Sequence, residues 1–217
     1  MVDYKPHVVR QGEHVAKLAF VRGADAEEVW NHPSNDNLRA KRSSMDVLYP
    51  GDVIHLPEGA TTPLPLEKGS NNRYTARIPR RKLTLALAST RGPYANEPYE
   101  IRGLPGPPDA IARKGTTGPN GEVDVVVPVT VRELGVFLPN PNLTYLVRVG
   151  DADPIAEASG VQKRLENLGF LERGVEHDPE EMQAGVRAFQ AKTGLPVTGK
   201  VDKPTLDKLA EQSGQPD

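Results

Sequence analysis

The C-terminal stretch at residues 160–209, GVQKRLENLGFLERGVEHDPEEMQAGVRAFQAKTGLPVTGKVDKPTLDKL, decides the fold of its region. Apolar residues recur in it at helical spacing three times. The three stripes are Val161, Leu165 and Leu168; Met182, Val186 and Phe189; and Leu206, Leu209 and Ala210. They predict three short amphipathic helices that share one small core.

Start and stop signals flank these stripes. Asp178-Pro179-Glu180-Glu181 supplies an N-cap acceptor, a proline at the first helical position and a carboxylate at the third. Asp202 and Ser159 are expected to open the other two helices in the same way. Gly169 and Gly194 stand just past the first two stripes, where a left-handed residue closes a helix.

The order and spacing of these residues resemble the three-helix peptidoglycan-binding domain attached to many bacterial cell-wall hydrolases. The matching positions are Leu165 to Phe170, Ala188-Phe189-Gln190, Gly194-Leu195, Val197-Thr198-Gly199, Val201-Asp202 and Thr205 to Leu209. The resemblance implies a domain at residues 151–217 that binds peptidoglycan. Its candidate binding residues are Phe189, Gln190, Gly199 and Asp202.

Composition limits the function classes. A chain of 217 residues suits two or three modest domains. The formal net charge of -2 argues against a nucleic-acid partner, which requires a clustered basic face. Cysteine is absent, so the chain has no disulfide, no thiolate metal site and no cysteine nucleophile.

The N-terminal sequence MVDYKPHVVRQGEHV lacks the charged and apolar regions of a secretory leader, and no apolar run is long enough to span a bilayer. We expect synthesis in the cytoplasm, no membrane partner, and a site of action at the cell envelope or in an injection apparatus.

Residues 1–57 form the first predicted module. Residues 7–10 and 52–56 are predicted strands, and Gly12 is a predicted turn. Two short helices lie between the strands: one carries Val15, Leu18 and Ala19, and the other begins at the capping run 25–28 and includes Trp30. The order is strand, helix, helix, strand.

This order, with Val9 to Glu13, Leu18-Ala19, Trp30-Asn31 and Tyr49 to Pro57, resembles a LysM domain, which binds glycans that contain N-acetylglucosamine. The resemblance implies a sugar groove formed by two loops. Its candidate residues are Gly12, Glu13, His14, Tyr49, Pro50, Gly51 and Asp52. The stretch at residues 32–45, HPSNDNLRAKRSSM, is longer and more basic than is usual there, and it is expected to reshape or cover the groove.

Residues 58–72 have no apolar period and are predicted to be a linker, whereas residues 73–150 have a strand period. Leu83, Leu85 and Leu87 alternate with smaller or polar residues, as do three valines at 123, 125 and 127. The residues at 118–121, GPNG, are typical of a hairpin turn. We predict a small antiparallel β-sandwich, and hence an α+β multidomain fold for the chain.

The runs Tyr99-Glu100-Ile101 and Gly115 to Glu122 are similar to carboxypeptidase-regulatory-like or transthyretin-like sandwiches, although the usual acidic residue of the turn is missing. A LysM-like module, a sandwich and a peptidoglycan-binding-like domain in tandem resemble accessory proteins of type VI secretion and other phage-tail-derived contractile injection systems. This resemblance implies spike or baseplate partners.

No catalytic residue, metal site or cofactor is predicted. The chain has five histidines, without an H-E-x-x-H or H-x-H arrangement, and no G-x-S-x-G. His7 and His55 face each other if the first and last strands of the module pair, and are otherwise surface residues. The acidic pairs Asp151/Asp153 and Glu180/Glu181 favour helix capping over acid-base chemistry.

Two features allow alternatives. Two basic runs have two possible roles: they are either solvated charges that guard against aggregation or contacts for anionic cell-wall polymers. One run consists of Arg77, Arg80, Arg81 and Lys82, and the other of Arg39, Lys41 and Arg42. Trp30 is either a core residue or a platform for stacking a sugar.

Three functions remain open at this point: a non-enzymatic protein that binds peptidoglycan, a structural adaptor that uses the same folds for protein contacts, and a cell-wall hydrolase with an unrecognised site. The first is our principal hypothesis.

Overall fold

The computed structural model describes residues 2–59, 67–69, 71–72, 78–89, 91–106 and 113–213. The fold is mixed α+β, with small antiparallel sheets in the first two thirds and helices at the C-terminal end. Most of the predicted linker, and Arg77 of the basic run, lie outside the described residues.

A two-stranded sheet and short helices make up the N-terminal module, in the order β1 (Tyr4–Val8), α1 (Val15–Val21), α2 (Ala26–Asn31), a 3-10 turn (Pro33–Asn35), α3 (Asp36–Arg39) and β2 (Val53–Pro57). The sheet is antiparallel, with Val8 opposite Val53. The core consists of Val9, Val15, Leu18, Ala19, Val29, Leu38, Leu48, Ile54 and Leu56. Trp30 packs against this core, partly buried.

Two details of the module differ from prediction. The first strand ends at Val8 instead of Arg10, because Val9 bonds to the turn that precedes β2 through Asp52 O and Gly51 N. The basic stretch is folded, because Asn35 is buried and its side chain bonds to Val29 O at 2.8 Å and to both backbone groups of His55 at 2.7 and 2.9 Å.

The described residues of the middle region form eight strands, β3 (Arg80–Ala86), β4 (Ala88–Ser89), β5 (Gly92–Pro93), β6 (Pro98–Arg102), β7 (Lys114–Thr116), β8 (Glu122–Pro128), β9 (Glu133–Leu138) and β10 (Leu143–Arg148). One sheet has the order β10-β9-β6-β7, and β3 pairs with β8 in a second. Both sheets contribute to one core: Leu87, Ile101, Leu104, Val123, Val125, Val127, Val131, Leu134, Val136 and Leu138.

The valine strand β8 confirms the predicted alternation, since Val123, Val125 and Val127 are buried whereas Val126 is exposed. The hairpin prediction for residues 118–121 is wrong. The turn forms, with Gly121 N donating to Gly118 O at 3.0 Å, but it carries the chain from β7 in one sheet to β8 in the other. The buried valines require this arrangement, because β8 covers the core from the opposite side.

The C-terminal region is a bundle of α4 (Ala158–Asn167), α5 (Pro179–Thr193) and α6 (Lys203–Gln212). All three predicted stripes pack in its core. The capping box at Asp178 and Glu181 is present, Asp202 caps α6, and Gly194 is left-handed with φ 74°.

The prediction that Ser159 caps the first helix of this bundle is wrong. The N-cap is Glu157, without a side-chain bond, and Ser159 lies inside α4 with its hydroxyl buried and unbonded among the described residues. The helix begins earlier because the turn at Pro154 feeds directly into it, with Glu157 N donating to Pro154 O at 3.0 Å.

Candidate functional site

The two loops predicted to form a glycan groove lie side by side. Val9 N donates to Asp52 O at 2.8 Å, and Gly51 N donates to Val9 O at 2.9 Å. These bonds join Val9, the residue before the first loop, to Gly51 and Asp52 of the second loop. A glycan groove between Gly12 to His14 and Tyr49 to Asp52 stays a prediction.

Glu13 is engaged within its own loop. Its carboxylate accepts from Arg10 N at 3.0 Å and lies 2.8 Å from His7 Nε2. These bonds lower the pKa of Glu13, although burial opposes them.

The strand register places His7 opposite Ile54 and His55 opposite Pro6, so the possibility that the two histidines face each other is wrong. Because neighbouring positions on a strand point to opposite faces, a one-residue offset separates them.

Arg42, from the basic stretch, lies over the second loop. Its guanidinium meets Asp52 through two bonds, Nε to Oδ2 at 2.8 Å and Nη2 to Oδ1 at 3.0 Å, and both side chains are 9% exposed. Its carbon Cζ is 5.6 Å from the centre of the Tyr49 ring. The hydrogen bonds to Asp52 raise the pKa of Arg42, with a smaller contribution from Glu157. A bidentate pair of this kind fixes both partners.

The segment that joins the middle region to the helical bundle contacts the first loop. Gln11 Nε2 donates to Asp151 O at 3.2 Å and to Asp153 Oδ1 at 3.4 Å. Gly12 and Gly150 lie against each other, since a Cβ on Gly150 would lie 3.3 Å from Gly12 Cα. Both have positive φ, a backbone conformation that favours glycine.

The same segment reaches Arg42, whose Nη1 donates to Glu157 Oε1 at 2.8 Å. A pocket of about 30 Å³ lies between this segment and the basic stretch, lined by Lys41, Arg42, Ser43, Ser44, Val47, Pro154 and Ala156. That volume suits one or two waters and is too small for a sugar ring. The basic stretch thus pairs with the second loop through Arg42, and residues 149–157 contact Gln11 and Gly12 of the first loop, while Gln11 and Gly51 stay exposed.

His14 is the most enclosed of the predicted groove residues, at 6% exposure. Burial lowers its pKa, and nearby Lys17 and Arg81 act in the same direction, whereas Asp46, 4.0 Å from Nδ1, acts against them. A neutral, buried imidazole of this kind contributes to packing rather than to sugar contact.

Gln190 organises the predicted binding residues of the C-terminal bundle. Its side chain is fully buried. Its amide nitrogen donates to Thr198 Oγ1, Lys200 O and Thr205 Oγ1 at 3.1, 3.0 and 3.0 Å. Its oxygen accepts from Thr198 N and Gly199 N, both at 2.9 Å. One amide therefore uses both ends to hold the loop between α5 and α6.

The other three predicted residues also have structural contacts. Phe189 is fully buried and packs edge-to-face on Phe170, with ring centres 5.4 Å apart. Gly199 takes a positive φ of 71° in the loop, and Asp202 accepts from Thr205 N at 3.0 Å as the cap of α6. Direct ligand contact by these four residues stays a prediction, and the side chains of Phe189 and Gln190 are enclosed.

Sequence reasoning missed the exposed apolar residues of the same loop. Val197 and Val201 are 56% and 43% exposed, on either side of the segment that Gln190 holds. Their exposure could not be read from the sequence, because valine at such positions is as compatible with a core as with a surface.

Residues 156–209 match a family model. Its description is "Putative peptidoglycan binding domain". The match spans α4, α5 and α6 as far as Leu209, and so includes the loop held by Gln190. The chain therefore contains a peptidoglycan-binding domain at its C-terminal end.

No curated protein and no solved structure matches the chain. The LysM-like assignment of the first module and the resemblance of the tandem to injection-system proteins thus stay predictions.

No helix of the described residues is long and apolar enough to cross a membrane. Across the same residues, no three His, Asp or Glu side chains are placed to hold a metal ion.

Proposed function

We propose that the protein is a non-enzymatic peptidoglycan-binding protein that attaches to, or targets, the bacterial cell wall. The observation that carries the proposal is the peptidoglycan-binding domain at residues 156–209, with its loop held in one conformation by Gln190. A preorganised loop binds at lower entropic cost than a mobile one.

Within that domain, the exposed part of the loop between α5 and α6 is the proposed contact surface. Gln190 fixes the backbone from Thr198 to Lys200, and this leaves Val197 and Val201 presented to solvent. Exposed apolar side chains on a rigid loop supply contact area for the apolar faces of a glycan or a peptide.

Co-sedimentation with purified sacculi tests the proposal. We expect the full chain to pellet with sacculi at low salt, and Val197→Asp together with Val201→Asp to lower the bound fraction severalfold. Val21→Asp is the matched control, because Val21 is 70% exposed on α1, outside the domain. A wild-type chain that stays wholly in the supernatant would contradict the proposal.

The non-enzymatic half of the proposal rests on the sequence, which contains no H-E-x-x-H, no G-x-S-x-G and no cysteine. The hydrolase alternative predicts dye release from labelled sacculi. Release that a single carboxylate-to-amide substitution abolishes would replace the binding proposal with that alternative.

We further propose that the protein serves as an accessory of a contractile injection apparatus, acting at the cell envelope after synthesis in the cytoplasm. The tandem order of modules supports this role, and so do the contacts that join the first module to residues 149–157, through Gln11 and Arg42. Pull-down with spike and baseplate proteins tests it; failure to recover either would leave cell-wall attachment as the function.

A further inference from the structure

Residues 149–157 contact the first loop of the N-terminal module and Arg42, the side chain that pairs with Asp52 of the second loop. Gly150 meets Gly12, Asp151 and Asp153 accept from Gln11, and Glu157 accepts from Arg42. The contact therefore consists of one ion pair, between Glu157 and Arg42, and of hydrogen bonds from the neutral amide of Gln11.

The strengths of these contacts are unequal. Arg42 and Asp52 are both 9% exposed, so their pair belongs to the N-terminal module itself. The side chain of Glu157 is 35% exposed, and both bonds from Gln11 are longer than 3.1 Å. Water-exposed ion pairs and long hydrogen bonds contribute little net stability. The segment can thus detach while the module stays folded.

The other side of the segment is anchored in the helical bundle. Asp153 accepts from Lys163 Nζ at 3.0 Å, and Arg164 Nη1 donates to Asp153 O at 2.7 Å. A Cβ on Gly160 would lie 1.9 Å from Pro154 O, which shows how closely α4 packs on the segment. Residues 151–157 therefore move with the peptidoglycan-binding domain when the contact opens.

We propose that residues 149–157 are an autoinhibitory contact: they occupy the side-chain donors of Gln11 and Arg42, and their release frees these donors for carboxylate-bearing ligands. Arg42 Nη1 and Gln11 Nε2, which the segment occupies in the closed form, become the donors for that ligand. The identity of the ligand as a carboxylate of the peptide branches of peptidoglycan rests on the proposed function.

Two substitutions open the contact from opposite sides. Glu157→Gln removes the charge that faces Arg42, and Gln11→Glu places a carboxylate against Asp151 and Asp153. Glu176→Gln is the matched control, since Glu176 is an exposed carboxylate of the helical bundle outside the segment. In hydrogen exchange of the full chain, we expect amides of residues 9–14 and 49–52 to exchange about two- to fivefold faster in both variants and unchanged in the control. Unchanged exchange in both variants would overturn the contact.

Sacculus binding tests the masking role separately. A mostly closed protein gains affinity in proportion to the population of its open form, so Glu157→Gln is expected to bind sacculi about two- to fivefold more tightly than the wild type. Gln11→Glu opens the contact but replaces one of the two donors with a carboxylate, so it is expected to show no such gain. Faster exchange with unchanged affinity in Glu157→Gln would overturn the masking role. Faster exchange in a chain that never binds sacculi would instead overturn the proposed function.

Discussion

Two polar side chains, Gln190 and Arg42, hold loops in different parts of the molecule. They differ in how far along the sequence their hydrogen-bond partners lie. The partners of Gln190 lie 8 to 15 residues away along the chain. Arg42 binds Asp52, 10 residues away, and Glu157, 115 residues away. The first residue completes its own domain, whereas the second also joins two regions of the chain.

This difference in range changes what each loop can do. The loop held by Gln190 is fixed from inside and keeps its outer surface free for a partner. In the N-terminal module, Gln11 and Arg42 are contacted from outside, by residues 149–157. One loop surface is therefore free of other regions of the chain, whereas polar groups of the other are occupied by a distant segment.

We expect the largest loss of stability when the buried hydrogen bonds of Gln190 are removed. Gln190→Ala removes five hydrogen bonds and leaves the amide of Gly199 without its partner, and an unpaired buried group costs its desolvation. We expect a loss of about 3 kcal/mol in the free energy of unfolding of the helical bundle. Urea unfolding monitored by circular dichroism measures it. Gln183→Ala, an exposed glutamine of the same helix, is the control, and an equal loss there would refute the interior role.

A smaller loss is expected at the other polar side chain. Arg42→Met keeps the apolar stem but leaves Asp52, 9% exposed, without its counter-ion. Breaking an enclosed pair is costly, yet water reaches this site, so we expect a loss of about 2 kcal/mol confined to the N-terminal module. Lys41→Met, at an exposed neighbour, should change little. Hydrogen exchange resolves the two modules; a loss spread over the helical bundle would contradict the assignment.

His14 makes the N-terminal module more sensitive to acid than the helical bundle. Burial holds its pKa below the unfolded value, so the unfolded state binds more protons and stability falls as the pH drops below the unfolded pKa of about 6.5. Between pH 7.5 and 5.5 we expect a loss of less than about 1.4 kcal/mol. His14→Asn should flatten the dependence of the melting temperature on pH over this window. A wild-type curve already flat there would show that Asp46 offsets burial.

The smallest effects distinguish a true helix cap from a false one. Asp178→Ala removes bonds to Glu180 N and Glu181 N and should cost about 1 kcal/mol. Ser159→Ala removes a buried hydroxyl that has no partner among the described residues, so the change should stay within about 0.5 kcal/mol or be stabilising. Thermal unfolding of the two variants in parallel compares the two losses of stability. A larger loss for Ser159→Ala than for Asp178→Ala would indicate that Ser159 caps α4 after all.

The helical bundle was predictable because its signals are local. Apolar stripes at helical spacing, a capping box and a glycine after a helix act within one or two turns, and the structure confirms each at α5. The exception was Ser159, where a tertiary contact, the packing of Pro154 against Gly160, shifted the start of the helix. In the sandwich, the alternation of β8 was predictable, but its pairing with β3 was not, because a turn sequence does not specify which sheet the next strand joins.

For the candidate site, the sequence placed the residues but not their surroundings. It indicated that the two loops of the first module converge, and that a long basic stretch could cover them. It gave no sign that Arg42 in that stretch pairs with Glu157, nor that Gln11 bonds to Asp151. Contacts between residues more than a hundred positions apart depend on how modules pack, and no local pattern encodes them.

The sequence by itself determined the three-helix bundle, since its helices, caps and turns follow from the spacing of apolar residues and from residues that satisfy nearby backbone groups, and the resemblance of those residues to a known family indicated peptidoglycan binding. Only the tertiary structure decided that Gln190 is a fully enclosed clamp, that Val197 and Val201 stay outside, and that residues 149–157 contact Gln11, Gly12 and Arg42 of the first module. The physical reason is that burial and charge pairing are properties of surfaces that meet, and a surface forms only after the chain has folded.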